Sequence, residues 1–183
     1  MEIDPVFLRA SQGAVAIVFG AAAVSKLVNI DRFKRALASY GLVPAFLLAP
    51  LALALAIGEL AVAVALPLEA ARYAAALAGF ALIGVFFTAM AVNLARGNRD
   101  IDCGCWAFGK HEDGTSARLS GWHLGRAALL ALLLAPSLME STQRTVEWVD
   151  YFTVAGSLAI AGGMFFAIDL LLANGVAVQK LRS

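Results

Sequence analysis

Two cysteines separated by a single glycine are the residues of this sequence whose types and spacing most clearly indicate chemistry. Cys103 and Cys105 flank Gly104 in a polar segment, and they are the only cysteines among 183 residues. A disulfide needs its Cα atoms about 4.4–6.8 Å apart, and glycine permits the bend that brings next-but-one neighbours together. The resulting ring is small and strained, and strained disulfides exchange readily. The pair is therefore predicted to be a redox-active dithiol.

Two other interpretations of the cysteines remain open. Cys103 and Cys105 could bind a metal together with His111 and also His123, because thiolate and imidazole ligands suit zinc, copper(I) or another soft metal. They could also be packed loop cysteines without chemistry. The redox interpretation is preferred because inert cysteines are usually buried among apolar residues, and this segment is polar.

The rest of the chain predicts the membrane helices that would position this loop. The chain is 61% hydrophobic and 15% charged, whereas a soluble domain is about 45–50% apolar and about 25% charged. The apolar residues form runs of the length that crosses a bilayer. Five spans are predicted, at about 7–28, 44–66, 73–95, 122–138 and 151–173. The fold class is therefore all-α, a polytopic transmembrane helical bundle, with residues 1–183 as a single integral membrane domain in a lipid bilayer.

The connections between the spans differ in character. Residues 29–43 place charged and apolar side chains at helical spacing, which predicts a short amphipathic helix in the membrane interface, stopped by Gly41 and Pro44. Residues 96–121 form the longest polar loop and contain both cysteines. The net charge of +1 and the absence of a dense basic run exclude a nucleic-acid partner.

The basic residues predict the orientation in the membrane. Of the 14 lysines and arginines, eleven lie on the side of the first connection, the cysteine loop and the C-terminal tail, and three on the other side. Because basic residues favour the cytoplasm, we expect the C-terminus and the cysteine loop to be cytoplasmic and the N-terminus to be outside. The expected location is the inner membrane of a bacterial-type cell.

Polar residues within the spans are candidates for function because ionisable groups are costly in a bilayer. Four of them are predicted to lie at a similar depth beneath the cysteine loop: Lys26, Asn93, Arg126 and Asp169. We expect Asp169 to pair with Lys26 or Arg126, the alternative being that both basic residues extend to the lipid headgroups. Trp106 and His123 complete this candidate pocket or proton relay, although for His123 alone the preferred interpretation is a solvated residue without a role.

Glu59 is a separate case. It lies past the middle of the second span, and no basic residue is expected at its depth. An unpaired carboxyl group there should be protonated or line a polar cavity. Glu59 is therefore predicted to have a proton or ligand role, or to form a hydrogen bond between helices.

Several short motifs together resemble a known family. They are Ala23-Val24-Ser25-Lys26-Leu27, Tyr40-Gly41-Leu42-Val43-Pro44, Gly58-Glu59-Leu60, Asp102-Cys103-Gly104-Cys105 and the segment from Trp122 to Arg126. In this combination the chain resembles the MauE branch of the DoxX-like membrane proteins over about residues 7–138. The family loop usually reads Cys-Gly-Cys-Phe-Gly, and here two residues are inserted before Phe108.

The resemblance implies four family helices, here with a fifth at about 151–173, and a role in thiol–disulfide traffic. It implies a membrane thiol–disulfide oxidoreductase that works with a thioredoxin-like partner, as in the maturation of methylamine dehydrogenase, with quinone as a candidate electron partner. The resemblance does not decide the oligomeric state, and an oligomer is one possibility. The alternative function is a transporter or binding protein for a soft metal or small thiol, and a weaker one is a membrane scaffold. Maturation outside the cell would favour external thiols, which conflicts with the charge bias.

Overall fold

The structure is a computed structural model, and it describes residues 2–98, 121–142, 144–145, 147–160 and 162–163. The predictions for five residues lie outside this described part: Cys103, Cys105, Trp106, His111 and Asp169.

The described part of the chain is a bundle of helices with one very short strand pair. The elements in chain order are β1 (Glu2–Ile3), α1 (Pro5–Val28), α2 (Ile30–Ser39), a 3₁₀ turn (Ala45–Leu47), α3 (Leu48–Ala65), α4 (Arg72–Ala95), α5 (Gly121–Leu134), a second 3₁₀ turn (Ala135–Leu138) and β2 (Glu140–Ser141). Residues 148–160 are also helical. The predicted all-α fold class is confirmed.

Local sequence signals fix the ends of α1 and α2. Asp4 caps α1, its Oδ1 accepting a hydrogen bond of 2.8 Å from the backbone N–H of Val6, and Pro5 occupies the first turn. At Asn29 the backbone leaves helical geometry, and α2 begins immediately afterwards. Gly41 follows α2 with φ of +63°, a conformation that favours glycine. The short amphipathic helix predicted in this connection is thus confirmed, with the narrower bounds of α2.

Contacts between the helices show that they alternate in direction. A Cβ at Gly20 of α1 would lie 3.7 Å from Cβ of Ala63 of α3, and Lys26, further along α1, pairs with Glu59, earlier in α3. α1 and α3 are therefore antiparallel. A Cβ at Gly79, in the first half of α4, would lie 3.4 Å from Val62 near the end of α3 and 2.8 Å from Leu134 at the end of α5, so α4 runs opposite to both. The end of α1, the start of α3, the end of α4 and the start of α5 therefore share one end of the bundle, which we call the loop end because the chain leaves α4 toward α5 there.

The core of the bundle lies between α1, α3, α4 and α5. Its buried residues include Val15, Phe19, Val62, Leu66, Ile83, Met90 and Leu134. Gly79 of α4 permits a close approach of α5, since a Cβ there would lie only 2.8 Å from Cδ2 of Leu134. A small residue at this position lets two helices pack without a bulky side chain between them.

Among the described residues, three helical segments are long and apolar enough to cross a membrane: Pro5–Val28, Ala45–Ala65 and Arg72–Ala95. The predicted fourth span corresponds to a shorter apolar segment, His123–Leu138, in which α5 continues into the 3₁₀ turn. Large apolar side chains such as Ile17, Val64 and Leu132 are more than half exposed on the bundle surface. Lipid tails would cover such side chains, so the chain is a multi-pass membrane protein.

At the opposite end of the bundle, polar contacts connect the residues before α1 to the residues that follow α5. β1 and β2 pair in parallel, and Arg144 donates to Asp4 Oδ2 at 3.0 Å and to Asp150 Oδ1 at 2.7 Å. The helix at 148–160 then follows α1 in the same direction, with Leu158 Cδ1 2.9 Å from the position of a Cβ at Gly13. The described part of the fifth predicted span therefore packs against α1.

Candidate functional site

A buried ion pair between two membrane helices is the centre of the candidate site. Lys26 of α1 donates through Nζ to Oε1 of Glu59 of α3, and each residue is only 4% exposed. Burying either charge alone would be very unfavourable, and pairing offsets part of that cost. The prediction that no basic residue lies at the depth of Glu59 is therefore wrong. The expected pairing of Lys26 with Asp169 involves a residue outside the described part, whereas Glu59 is the partner that the structure shows.

Side-chain direction explains why these two residues meet. In a helix the Cα–Cβ bond tilts toward the N-terminus. Lys26 therefore leans away from the loop end toward the middle of the bundle, and Glu59 of antiparallel α3 leans from the middle toward the loop end. The second span also starts with a 3₁₀ turn, so α3 begins at Leu48 rather than near residue 44. A depth in the membrane that is estimated by counting residues along each helix ignores both effects, and for this reason Lys26 and Glu59 were predicted to lie at different depths.

Two aromatic rings complete the surroundings of Lys26. Its Nζ lies 4.7 Å from the ring centroid of Phe86 in α4 and 5.2 Å from that of Phe33 in α2. Both distances are within the range of cation–π attraction. The ammonium group is thus held by side chains from three other helices. Phe33 and Phe86 carry no signal of this role in the sequence, because only the fold brings them to Lys26.

The second oxygen of Glu59 is a distinctive feature of the pair. Oε2 is buried and has no hydrogen-bond partner within the described part of the chain. Buried carboxylate oxygens nearly always have a partner. The oxygen can accept a hydrogen bond from a water molecule or another donor, or it can carry a proton. This property fits the proton or ligand role expected of Glu59.

Asn93 is completely buried near the end of α4, and its hydrogen bonds are local. Its Nδ2 donates to the carbonyl of Ala89 at 3.1 Å, and its Oδ1 accepts from Nδ2 of Asn98 at 3.3 Å. Its carbonyl also accepts from the backbone N–H of Asn98 at 3.0 Å, while Gly97 has φ of +78°. Asn93 therefore fixes the point at which the chain leaves α4 toward the cysteine segment.

His123 and Arg126 lie in the first two turns of α5, and both are half-buried. They are at the loop end, where the chain returns from the cysteine segment. The structure places Lys26, Asn93, His123 and Arg126 at or near the loop end of the bundle. The ion pair of Lys26 is with Glu59 of α3.

The metal-binding alternative depends mainly on residues outside the described part. Within the described ranges no group of three or more histidine, cysteine, aspartate or glutamate side chains is arranged to hold a metal ion. The proposed ligands Cys103, Cys105 and His111 lie outside those ranges, so this alternative stays a prediction.

An apolar groove of about 540 Å³ lies beside the ion pair. It is bounded by α2 and the residues after it, the first half of α3 and the second half of α4. Its lining residues are Phe33, Ala36, Leu37, Tyr40, Leu42, Val43, Leu51, Leu55, Ala81, Gly84, Val85, Phe86, Thr88 and Ala89. Phe33 and Phe86 line the groove and also contact Lys26, so these two rings lie between the groove and the ion pair.

Exposed charges border the site on α2. Lys34 Nζ is 2.6 Å from Oδ1 of Asp31, and this hydrogen bond holds the pKa of the Asp31 carboxyl group below its usual value. At the opposite end of the bundle, a hydrogen bond from the backbone N–H of Glu147 and then the Arg144 guanidinium lower the pKa of Asp150. Both carboxylates therefore stay charged at neutral pH.

Comparisons with known proteins give consistent matches over most of the chain. The family described as "Methylamine utilisation protein MauE" matches residues 4–140. The methylamine utilization protein MauE of Methylophilus methylotrophus is 34% identical over 99% of this chain and 94% of its own length. Its namesakes from Paracoccus denitrificans and Paracoccus versutus are each 38% identical, over 97% and 92% of this chain and 92% and 88% of their own lengths. No solved structure matches the chain significantly.

Proposed function

Since the chain belongs to the MauE family, we propose that it acts in methylamine utilisation as a membrane thiol–disulfide oxidoreductase. The observation that carries this proposal is the Cys103-Gly104-Cys105 motif in the segment that joins α4 to α5 at the loop end. The names of the relatives support the pathway. The paired thiols support the chemistry.

The proposed reaction is disulfide exchange with a thioredoxin-like protein. A thiolate of Cys103 or Cys105 attacks the disulfide of an oxidised partner and forms a mixed disulfide, releasing one partner thiolate. The second cysteine then attacks its neighbour's sulfur and releases the other partner thiolate. The pair loses two electrons and two protons overall, the partner gains them, and the reverse sequence oxidises the partner.

The geometry at the loop end supports roles for the other candidate residues. Asn93 holds the chain where the cysteine segment begins, and His123 and Arg126 lie where it ends. Lys26 and Glu59 lie below as a buried charged pair, and Oε2 of Glu59 accepts no hydrogen bond from the described residues. We propose that these residues form the pocket or proton relay that accepts protons released by the thiols, together with Trp106 and Asp169.

A quinone is the second candidate electron partner, and the described residues fit it only in part. The groove between α2, α3 and α4 has sufficient volume and an apolar lining, but among its described lining residues the only polar side chains are those of Tyr40 and Thr88. No step of the exchange is therefore assigned to a quinone. The direct physiological role that we propose is support of disulfide formation during maturation of methylamine dehydrogenase.

The proposal is tested by titrating the purified chain in redox buffers and alkylating its free thiols. We expect two alkylations under reducing conditions, none under oxidising conditions, and a single two-electron transition between them. A Cys103→Ser variant is the matched control. It cannot form the intramolecular disulfide, so it should show one alkylation across the range of potentials in which the native pair changes from two alkylations to none. A pair that never forms an intramolecular disulfide would reject the redox function.

The same preparation distinguishes the soft-metal alternative. Protein that binds stoichiometric metal, and loses it when both cysteines are replaced by serine, would support a metal-binding or transport function. A cycling disulfide in metal-free protein is the result that the redox proposal expects.

A further inference from the structure

The apolar groove between α2, α3 and α4 has no role in the proposed thiol–disulfide exchange. Its volume of about 540 Å³ is within the range of about 300–1,000 Å³ typical of small-molecule sites. Ala81 and Gly84 of α4 line the groove and are exposed. Neither has a large side chain, so they leave space in the groove along α4. A Cβ built at Gly84 would meet no atom within 4 Å, so the groove is open at this point.

The position of the groove indicates a ligand from the membrane. α3 and α4 are membrane-spanning segments, while α2 is a short amphipathic helix that lies across the groove at the loop end. Buried Phe33 and Ala36 of α2 face the groove. A ligand here would have an apolar part between two spans and a head at the level of α2, which is the level of lipid headgroups for an interfacial helix.

The charges of α2 indicate the sign of that head. The helix contains Arg32, Lys34 and Arg35 but only one acidic residue, Asp31. Residues three or four apart are neighbours on a helix surface. Arg32 therefore lies beside Ala36 at one edge of the lining stripe, and Lys34 lies beside Leu37 at the other. The lysine also contacts Asp31, but an ammonium group has three donors and can bind phosphate oxygens in addition.

We propose that this groove is a binding site for one anionic phospholipid, with an acyl chain between α3 and α4 and its phosphate bound by the basic edges of α2. The almost entirely apolar lining suits a hydrocarbon chain better than a ring with two carbonyl acceptors. The bound lipid holds α2 against the spans. It thereby keeps Phe33 in place over Lys26.

The test is native mass spectrometry of protein purified in a mild detergent, followed by titration of the delipidated protein with dioleoyl phosphatidylglycerol or dioleoyl phosphatidylcholine. We expect one phosphatidylglycerol per chain and weaker binding of phosphatidylcholine. Gly84→Leu places a branched side chain at a position where a Cβ would meet no atom within 4 Å, so it occupies the groove and should weaken phosphatidylglycerol binding by roughly tenfold or more. Gly156→Leu is the matched control, since Gly156 is exposed in the helix at 148–160 and equally unobstructed.

A second pair of variants tests the headgroup contact. Lys34→Gln should weaken phosphatidylglycerol binding about fivefold, because one basic residue near a membrane surface contributes about 1 kcal/mol. Arg35→Gln removes the same charge from the side of α2 away from the groove and should change the affinity less. Equal effects of Lys34→Gln and Arg35→Gln would contradict a specific phosphate contact.

Other outcomes would overturn the site itself. They are unchanged binding in Gly84→Leu, equal loss in Gly84→Leu and Gly156→Leu, or a copurified quinone released by Gly84→Leu. Size-exclusion chromatography and far-UV circular dichroism check that each variant is folded. If Gly84→Leu is not, Ala81→Leu fills the same groove from the preceding turn of α4 and is judged by the same criteria.

Discussion

The pair of Lys26 and Glu59 is stabilised at the residue scale by partners on several helices. Glu59 accepts a hydrogen bond from Lys26, and the rings of Phe33 and Phe86 lie against the same ammonium group. Removing one member leaves the other charge buried without its partner, which is far less favourable than removing both. The pair therefore links α1 to α3 and, through the two rings, to α2 and α4.

Substitution of one member of the pair is expected to destabilise the protein strongly. Lys26→Met or Glu59→Leu should each lower the free energy of unfolding by about 3–5 kcal/mol, because each leaves an uncompensated buried charge. The double variant should recover much of this loss. Thermal and denaturant unfolding in detergent measure these values as a double-mutant cycle.

A control for this cycle is available at the opposite end of the bundle. Glu69 forms an exposed contact with Arg9 at 3.5 Å, and exposed ion pairs contribute about 0–1 kcal/mol. Glu69→Leu should therefore have a small effect. Single variants of Lys26 and Glu59 as stable as Glu69→Leu would show that the pair does not stabilise the bundle.

Individual elements were predictable where the sequence pattern is local. The charged and apolar residues of 29–43 alternate at helical spacing, and the structure contains α2 there. The contact between Lys26 and Glu59 was not predictable in the same way. It depends on the antiparallel packing of α1 and α3 and on the direction in which each side chain leaves its helix, and neither is a property of one segment.

Close packing of α4 against α5 predicts a difference between two glycines of α4. Gly79→Ala places a methyl group within 2.8 Å of buried Leu134, and such overpacking costs about 1–3 kcal/mol. Gly84→Ala meets nothing within 4 Å and should be neutral or stabilising, since alanine favours helices by about 1 kcal/mol over glycine. Equal unfolding temperatures for the two variants would contradict the observed packing.

The end of α4 is expected to control the reactivity of the cysteine segment. Asn93→Ala removes the side-chain hydrogen bonds to Ala89 and Asn98, which loosens the point where the segment begins. We expect faster alkylation of Cys103 and Cys105 by a water-soluble maleimide. Asn29→Ala is the control, because Asn29 is exposed and its side chain makes no capping hydrogen bond. Identical alkylation rates for the two variants would show that Asn93 does not control the reactivity of the cysteine segment.

For the whole molecule, hydropathy was sufficient to predict a helical membrane bundle but not how its ends are joined. Arg144 connects Asp4 to Asp150, and β1 pairs with β2. These contacts join segments about 140 positions apart in the sequence, and short polar segments give no periodic signal of their own. The three long spans, Pro5–Val28, Ala45–Ala65 and Arg72–Ala95, were predictable because each is a long apolar run.

The charge bias predicts which side of the membrane each end of the bundle faces. An impermeant maleimide should label Cys103 and Cys105 only when it has access to the cytoplasmic face. A cysteine at Glu147, introduced as Glu147→Cys in a chain with both native cysteines replaced by serine, lies near the opposite end and should be labelled only from outside. Labelling of the native pair from outside would reverse the orientation.

The proposed thiol–disulfide exchange is tested most directly by measuring the transfer of a disulfide between this chain and a thioredoxin-like protein. The reduced chain is mixed with an oxidised thioredoxin-like partner, quenched with acid, alkylated and weighed by mass spectrometry. We expect one Cys103–Cys105 disulfide to appear for each partner disulfide that is lost, and Cys105→Ser to accumulate a mixed disulfide through Cys103. A pair of thiols that stays reduced, with no mixed disulfide in the variant, would rule out the proposed exchange.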